Sequence, residues 1–460
     1  MFVGRTEELS LLNSLSASKR FEYLVLYGRR RVGKTTLLLQ FMKTQPVIFY
    51  AAQAKNDALN LVDFSKAIHR HYDSAYYAPF SDWQDAFSYI GDRSSERRTI
   101  VIIDEFPFIA ETNPTIQSIL QHTIDHRWKE KDIFLILCIS SVSFMENEVM
   151  GSKSPLFGRS TAILELKGFD YLESALFFPT YDVSDKLLSY AILGGIPTYL
   201  QAFDPKASIQ SNIAARILRM GAFLNNEPQN LLKMEIRESA VYNAILEAIA
   251  TGSSRLNEIA QKIKEEPTKC SKYLSVLMNL KIVERITPSG EKESSKRSLY
   301  TIADNFFQFW YRFIFSNRSY YELVGEERSA AAICEELSSY MGGIFEKICT
   351  EYLIRMAKAE RLPFIFHTIG RWWGGKKEAD IDILAFDKSH ESALFAECTF
   401  RTKQFTLQEY RHFLNATAII KEPTHRYYYL FSKGGYTDEV QAQARIDEVT
   451  LVHLDDLFYL

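Results

Sequence analysis

Cysteine is scarce in this sequence. The chain has five cysteines among 460 residues and no CxxC pair; they are Cys138, Cys270, Cys334, Cys349 and Cys398. A disulfide framework or a structural zinc site needs cysteines at close and regular spacing, so we expect neither. Because reduced cysteines are typical of the cell interior, we expect a cytoplasmic protein.

Long apolar runs are missing too. No stretch approaches the ~18 apolar residues of a membrane-spanning helix. The first ten residues, MFVGRTEELS, carry charges where a secretory signal would be apolar. We therefore expect a chain that is neither exported nor embedded in a membrane. Repeats and low-complexity tracts are absent, so domain boundaries must come from changes of pattern.

The chain has little excess charge. Its 54 basic and 57 acidic residues give a formal net charge of −3, and a content of 47% hydrophobic and 24% charged residues is ordinary for a globular protein. Whole-chain charge therefore gives no support for nucleic-acid binding, and any basic surface must be local. At roughly 150 residues per domain, the length suggests about three domains.

The pattern of the sequence changes along the chain. Residues 1–182 alternate short apolar runs with amphipathic stretches, which predicts an α/β domain with a parallel sheet. Helical periodicity then predicts a helical lid over 183–236 and a winged helix-turn-helix over 237–315. Residues 316–460 return to mixed patterning and predict a separate C-terminal α/β domain. The apolar runs predicted as strands of the first domain are EYLVLY, PVIFYA, RTIVIID and IFLILCIS.

A phosphate-binding motif occurs near the start of the chain. Residues 28–35 read GRRRVGKT, a full match to G-x-x-x-x-G-K-[ST], between the apolar run YLVLY and the helical run TTLLLQFM. The two glycines let the loop curl so that its N–H groups face phosphate. Lys34 would reach the terminal phosphates, and Thr35 can ligate Mg²⁺. The predicted nucleotide-binding residues here are Gly28, Arg29, Arg30, Arg31, Val32, Gly33, Lys34, Thr35 and Thr36. The alternative is a glycine-containing turn with a surface lysine.

A pair of acidic residues ends another apolar run, RTIVIIDEF. In a P-loop fold this strand end faces the phosphates. Asp104 would then hold Mg²⁺, and Glu105 would orient or deprotonate the attacking water. An acidic strand cap is the alternative. The next run, IFLILCISS, ends at Ser140 and Ser141, where a hydroxyl could sense the γ-phosphate.

Six motifs occur in order along the first two thirds of the chain: FVGR at 2–5, the P-loop, IIDEF at 102–106, LILCISS at 135–141, SPLFGR at 154–159 and GGIPTYL at 194–200. Together they resemble the archaeal-type ATPases, which lie near the AAA+ proteins among the signal-transduction (STAND) NTPases and also occur in bacteria. The resemblance implies an ATPase that uses ATP and Mg²⁺.

The same resemblance implies roles for individual residues: Gly4 and Arg5 near the adenine, Ser140 as a sensor, Arg159 as an arginine finger, and Pro197 over the base from the helical lid. The predicted catalytic set is therefore Lys34, Glu105, Ser140 and Arg159. Ile139 departs from the family, which often has glycine before the serine. On physical grounds alone, a loop arginine such as Arg159 more often forms a surface salt bridge.

The segment 237–315 has the order of a helix-turn-helix with a wing: ESAVYNAILEAIATG, RLNEIAQKIK, TKCSKYLSVLMNL, IVERIT and RSLYTIAD. On the third helix Lys269, Lys272 and Ser275 share a polar face. Residues 253–300 contain ten basic and six acidic residues, a local net charge of +4. DNA contact is one hypothesis. An internal latch is the other, because the STAND-type NTPases use a winged helix at this position as a latch.

The stretch HTIGRWWGGKKEADIDILAFDKSHESALFAECTF resembles the C-terminal domain that accompanies archaeal-type ATPases and is related to the PD-(D/E)xK nucleases. The resemblance places Asp382 and Glu397 as the two metal-binding carboxylates and Glu346 as an accessory acid. Such a set binds Mg²⁺ and activates water against a phosphodiester. The predicted architecture of this domain is therefore restriction-endonuclease-like.

The lysine of that nuclease motif is missing. Thr399 stands in its place and has no charge with which to replace an ammonium group. A lysine from elsewhere, Lys376, Lys377 or Lys403, could take over, although a lysine near a glutamate is usually a surface pair. Two neighbouring tryptophans, Trp372 and Trp373, could stack on bases or pack in the core.

The sequence leads to two hypotheses for the function of the protein. The first is an Mg²⁺-ATPase that works as a nucleotide-driven switch on DNA, through the winged helix and the C-terminal domain, either alone or as a homo-oligomer. The second is an ATP-regulated, metal-dependent DNA endonuclease. The residue at position 399 favours the first, because a nuclease would need a cation there.

Overall fold

The structure is a computed structural model, and it describes residues 2–73, 78–94, 98–141, 144–236, 239–292, 294–374 and 380–459. By its internal contacts the chain divides into two compact units. Unit 1 comprises residues 1–168 and 196–198, and unit 2 comprises residues 169–195 and 199–460. The four segments expected from the sequence are a finer division than this, and they stay a prediction.

Unit 1 is built on a parallel sheet of five strands in the order β2-β3-β4-β1-β5. The strands are β1 (Glu22–Tyr27), β2 (Val47–Ala51), β3 (Thr99–Asp104), β4 (Ile133–Ile139) and β5 (Ala162–Glu165). The predicted parallel sheet is confirmed, since each of the four apolar runs forms a strand. The short edge strand β5 has no such run and was not predicted.

Helices cover this sheet. They are α1 (Thr6–Ala17), α2 (Lys34–Met42), α3 (Asp57–His71), α4 (Trp83–Arg93), α5 (Pro107–Thr112) and α6 (Ile116–Thr123), with π-helical turns at Ile124–Trp128 and Met145–Val149. Strands β3 and β4 are buried along their whole length. Because β1, β4 and β3 are parallel neighbours, their carboxyl ends lie side by side at one edge of the sheet, where ligands bind in α/β folds.

The middle of the chain is mainly helical. Its helices are α7 (Tyr171–Ala175), α8 (Val183–Leu193), α9 (Pro197–Leu200), α10 (Ile209–Asn212), α11 (Glu227–Glu235), α12 (Ser239–Ala250), α13 (Leu256–Ile263), α14 (Pro267–Asn279), α15 (Asn305–Phe309) and α16 (Arg318–Val324). Other helical turns lie at Ile213–Leu218, Phe223–Asn225, Trp310–Ile314 and Phe315–Asn317. Strands β6 (Val283–Ile286) and β7 (Leu299–Ile302) pair antiparallel after α14. The three helices and two strands thus follow the predicted order.

The C-terminal part of unit 2 contains a mixed sheet in the order β12-β11-β10-β9-β8. Its elements are α17 (Glu326–Lys358), β8 (Thr368–Trp373), β9 (Asp380–Phe386), β10 (Ser392–Thr399), α18 (Leu407–Thr417), β11 (His425–Ser432), α19 (Asp438–Ile446) and β12 (Thr450–His453), with a 3₁₀ turn at Asp455–Phe458. Strands β8, β9 and β10 are antiparallel neighbours, whereas β10, β11 and β12 run parallel.

The helix α17 is 33 residues long and contacts several parts of unit 2. Tyr340 Oη donates to the carbonyl oxygens of Ala191 and Asn305, each at 3.1 Å. Two residues earlier, Ser338 Oγ donates to the carbonyl of Phe400 at 3.1 Å. Helix α17 therefore joins α8, α15 and the C-terminal sheet. None of the helices in the described ranges has the length and apolar character to cross a membrane. All five cysteines are free thiols.

Candidate functional site

The loop between β1 and α2 has a backbone that requires glycine. A Cβ atom at Gly28 would lie 2.4 Å from the carbonyl oxygen of Leu166, far inside contact distance. Gly33 caps the N-terminus of α2 with φ 96°, a left-handed conformation that costs little only for glycine. Arg31 also adopts a positive φ, 72°. The two motif glycines therefore shape a tight loop at the carboxyl end of β1.

The lysine of the motif lies inside this loop. Lys34 is 5% exposed, and its Nζ donates to the carbonyl oxygens of Gly28 at 2.8 Å and Arg29 at 3.1 Å. Burial lowers the pKa of Lys34. The predicted loop residue Val32 is buried, while Thr36 is exposed in the first turn of α2. The ammonium group thus closes the loop by bonding to its carbonyls, at the place where phosphate would be bound.

An oxygen-rich pair lies beside the loop. Thr35 Oγ1 donates to Oδ2 of Asp104 at 2.8 Å, and Asp104 is 3% exposed at the end of β3. Hydroxyl and carboxylate oxygens are the ligands that Mg²⁺ prefers, so this pair fits the predicted metal. Within the described ranges, no three His, Cys, Asp or Glu side chains are grouped to hold a metal ion. A Mg²⁺ ion here would therefore also need oxygens from a nucleotide.

The predicted water-activating residue and the predicted sensor are in direct contact. Ser140 Oγ, just after β4, donates a hydrogen bond to Glu105 Oε1. Glu105 has φ 55°, which costs a non-glycine residue about 1–2 kcal/mol. Its backbone N–H donates to Oδ1 of Asp104 at 3.0 Å. The strained turn holds the Glu105 carboxylate against the neighbouring strand end.

A buried thiol adjoins this site and was not predicted. Cys138 lies in β4 with no exposed surface. Burial raises the pKa of Cys138, and the charge of Asp104 and a hydrogen bond to it raise that pKa further. The apolar run that contains Cys138 gave no sign of this contact, because only the β3–β4 pairing brings the two residues together.

The arginine of the FVGR motif braces the P-loop. Arg5 is 5% exposed, and its Nη2 donates to the carbonyl oxygens of Val32 at 3.1 Å and Lys167 at 2.7 Å. Gly4 and Arg5 have φ 63° and 62°. The guanidinium therefore ties the loop to the segment that follows β5. The implied position of Gly4 and Arg5 near the adenine stays a prediction.

The segment GGIPTYL also meets the P-loop. Pro197 Cγ would lie 3.7 Å from a Cβ atom at Gly33. Thr198 Oγ1 donates to the carbonyl oxygen of Arg31 at 3.3 Å, a contact that sequence patterns did not reveal. Pro197 is therefore next to the loop, and its proposed role over the base stays a prediction.

The arginine-finger candidate forms a surface salt bridge. Arg159 Nε and Nη2 donate to the carboxylate of Asp125 at 3.0 and 2.8 Å, and Nη1 donates to the carbonyl of Pro155 at 2.8 Å. A surface salt bridge is the alternative that we expected from the usual behaviour of loop arginines. The arginine-finger role of Arg159 stays a prediction.

Three acidic side chains that the sequence singled out lie in and beside the C-terminal sheet, but within the described residues they are not grouped to hold a metal ion. They are Glu346 on α17, Asp382 on β9 and Glu397 on β10. Burial first, and then the charge of Asp382, raise the pKa of Glu346 and of Glu397 to about 8. Burial also raises the pKa of Asp382 to about 6, although Oδ2 accepts a hydrogen bond from the Cys398 N–H at 2.8 Å. The metal role of Asp382 and Glu397 stays a prediction.

A positively charged side chain that was not predicted lies beside this cluster, on a strand that carries none of the three carboxylates. Arg371 on β8 bonds through Nε to Oδ1 of Asp380 at 3.1 Å, and its Nη1 lies 3.8 Å from Oε2 of Glu346. No motif pointed to it. Thr399 is partly buried at the end of β10, and Lys403 is exposed in the following turn. The other two candidate lysines, Lys376 and Lys377, lie outside the described residues.

Of the two tryptophans, Trp373 is buried, 8% exposed, and donates through Nε1 to the carbonyl of Arg297 at 3.0 Å. Trp372 is partly buried and packs against the core of the C-terminal sheet. The core interpretation of the pair is therefore confirmed for Trp373, and its indole is not free to stack on a base.

Comparisons with known proteins identify the kind of domain that contains this site. Residues 2–203 match a family described as an ATPase domain predominantly from Archaea, and residues 310–412 match a family of archaeal and bacterial proteins of unknown function. Among solved structures, the Walker-type ATPase of Pyrococcus abyssi has a TM-score of 0.51 at 19% identity, over 68% of this chain and 96% of that one. This likeness supports the P-loop fold.

Two curated relatives come from Methanocaldococcus jannaschii. An uncharacterized ATP-binding protein is 43% identical over 47 residues, 10% of this chain and 80% of that protein. An uncharacterized protein is 36% identical over 403 residues, 87% of this chain and 88% of that protein. The chain therefore belongs to the family of this second protein, and it carries a P-loop ATPase domain of the predominantly archaeal type.

Proposed function

We propose that the protein binds ATP with Mg²⁺, hydrolyses it, and uses its nucleotide state as a switch that acts on duplex DNA. The observation that carries the ATPase part is the convergence of Lys34, Thr35, Asp104, Glu105 and Ser140 at the carboxyl ends of β1, β3 and β4. These side chains supply the cation, the metal ligands and the water-activating carboxylate that phosphoryl transfer requires.

Each residue has a definite task in this mechanism. Lys34 exchanges the carbonyls of Gly28 and Arg29 for phosphate oxygens. Thr35 and Asp104 offer their oxygens to Mg²⁺, which neutralises phosphate charge when bound. Ser140 donates to Oε1 of Glu105, so the serine would orient the carboxylate while Oε2 accepts a proton from water.

The DNA part rests on the surface of α14. Lys272 and Ser275 are exposed on this helix, while Leu274 and Leu277 are buried on its other side. Lys269, predicted on the same polar face, is paired with Glu265 at 3.0 Å. Exposed cations and hydroxyls on the third helix of such a motif can meet phosphates or base edges. Lys272 is thus the lysine of the predicted face that we expect to contact DNA.

We expect Lys272→Ala to weaken binding of the full chain to a labelled duplex, measured by fluorescence anisotropy over a salt series. One lost phosphate contact should lower the slope of log K against log salt by about 0.9. The matched control is Lys206→Ala, which removes the same charge from an exposed position outside the motif. Equal losses in both variants, or no binding by the wild type at low salt, would contradict DNA contact through α14.

The alternative function is a metal-dependent endonuclease. The charge of Asp382 acts on both Glu346 and Glu397, which supports it, whereas the uncharged Thr399 opposes it. Arg371 does not repair this loss, because its guanidinium is already engaged by Asp380 and Glu346.

We therefore expect no nicking of supercoiled plasmid by the wild type with Mg²⁺ or Mn²⁺, and increased nicking by Thr399→Lys if the domain is a decayed nuclease. The ammonium would lie on the same face of β10 as Glu397. The control is Asp382→Ala. Robust wild-type cleavage that this control abolishes would show that the domain is an active nuclease.

A further inference from the structure

The loop that joins β6 and β7, described at residues 287–292 and 294–298, is bonded to the C-terminal sheet. We call it the wing loop. The Ser289 N–H donates to the carbonyl of Arg371 at 2.8 Å. Arg297 Nη1 donates to the carbonyl of Trp373 at 2.9 Å, and Trp373 Nε1 donates back to the carbonyl of Arg297 at 3.0 Å. Three hydrogen bonds thus join the wing loop to β8.

Packing at the tip of the wing loop reinforces this contact. Gly290 has φ 83°, and a Cβ atom there would lie 3.1 Å from the Phe386 ring. Ser289 is 8% exposed. The Arg297 guanidinium forms an ion pair with Glu291 and lies 5.9 Å from the centre of the Trp372 ring. Arg297, the positively charged residue of the wing loop that takes part in this contact, therefore faces protein.

The contact is nevertheless suited to opening. Two pockets, of about 550 and 420 Å³, flank it, and both are lined by Arg371 and Trp373. The bonds across it are polar, and water or phosphate can replace them at little cost. Interfaces inside a chain that are polar and loosely packed are the ones that separate during function.

Helix α14 and the wing loop are the two parts of the proposed DNA-binding element, and they differ in exposure. The α14 surface with Lys272 is exposed, whereas Ser289 and Arg297 of the wing loop are bonded to β8 and only Lys292 and Lys296 of its cations are exposed. We propose that β8 and duplex DNA compete for the wing loop, so that Arg297 and the loop tip do not reach DNA in the docked state and release of the wing loop tightens binding. This inference rests on the proposed DNA function and names its regulation.

The competition predicts that weakening the β8 contact strengthens DNA binding. Trp373→Phe removes the Nε1 donor and leaves every residue of the winged element unchanged. If the wing loop is docked most of the time, one lost hydrogen bond should tighten binding about 3- to 10-fold. Amide hydrogen exchange over the wing loop should rise in parallel, because its N–H groups spend more time open.

The matched control is Trp310→Phe. Trp310 is also buried in unit 2, and its Nε1 also donates to a backbone carbonyl, that of Asn225 at 2.9 Å. Gly290→Ala is a second release variant, because its methyl group would push the loop tip from Phe386 while keeping all charges. Both release variants should bind DNA more tightly than the control, as measured by anisotropy on the full chain.

Each outcome decides a different point. Tighter DNA binding and faster exchange in Trp373→Phe and Gly290→Ala, but not in Trp310→Phe, support the competition. DNA binding that equals the control in both release variants overturns it, even if α14 contacts DNA. Absence of DNA binding in every protein, including the wild type, overturns the proposed DNA function and the competition together, and faster exchange would then show only that β8 holds the loop.

Discussion

Lys34→Ala should abolish ATP binding or weaken it by a factor on the order of 10². The ammonium group is held inside the P-loop by the carbonyls of Gly28 and Arg29, at the position where the terminal phosphates would lie. Alanine removes the charge-assisted bonds that Lys34 would make to phosphate and also its two bonds to the carbonyls of the loop. Calorimetry or fluorescence with an ATP analogue would measure the loss.

A lysine at the C-terminal end of α2 provides the control for this variant. Lys43 follows the last residue of α2, is exposed, and donates to Gln40 Oε1 at 2.9 Å. Lys43→Ala removes the same charge without touching the loop, so its affinity for ATP should equal that of the wild type. Affinity within a few-fold of the wild type in Lys34→Ala would contradict the assignment of the P-loop lysine.

Glu105→Gln should keep ATP binding and lose hydrolysis by about 10²- to 10⁴-fold. Glutamine keeps the shape of the side chain, and its amide oxygen can still accept the hydrogen bond from Ser140. It cannot take a proton from water. The change leaves the proposed Mg²⁺ ligands, Thr35 and Asp104, in place, so the defect should appear in turnover alone.

The measurement for this variant is steady-state phosphate release beside ATP affinity. Glu111→Gln is the control, since Glu111 is an exposed glutamate on α5, the helix that follows Glu105. Turnover at the wild-type rate in Glu105→Gln would refute its role as the water-activating residue. Loss of ATP binding in the same variant would instead show that the carboxylate is structural.

Strands and loops that depend only on residues adjacent in the chain were predictable from the sequence. The strands of unit 1 were predicted because fully buried parallel strands need continuous apolar runs, as in β3 and β4. The P-loop was predicted because its glycines and lysine are adjacent in the chain. The edge strand β5 was missed, because its four residues are only partly buried or exposed and carry no apolar run.

Contacts between distant residues were not predictable in this way. The hydrogen bond from Ser140 to Glu105 depends on the pairing of β3 with β4, and the bonds of Arg5 depend on where the chain returns after β5. Arg371 could not be identified, because its carboxylate partners come from α17 and β9.

The N-terminal end of the long helix α17 is another feature that local sequence patterns do not predict. Paired glycines such as those at 342–343 often mark the end of a helix. In the structure α17 begins at Glu326 and continues through both glycines. Two helical glycines cost about 2 kcal/mol relative to alanine. Buried residues on both sides, including Leu337, Met341 and Phe345, offset this cost through packing.

That helix has a mechanical consequence. At 1.5 Å per residue, α17 is a rod about 50 Å long. Bonds from Tyr340 near its middle reach α8 and α15, while Arg355 near its end bonds to the carbonyl of Leu457 at 2.6 Å. A tilt of only 10° about one end of such a rod displaces the other end by about 9 Å. The helix can therefore act as a lever arm about Tyr340: a 10° rotation at α8 would move Glu346, about 9 Å along the helix, by about 1.5 Å and the region of Arg355 by about 4 Å.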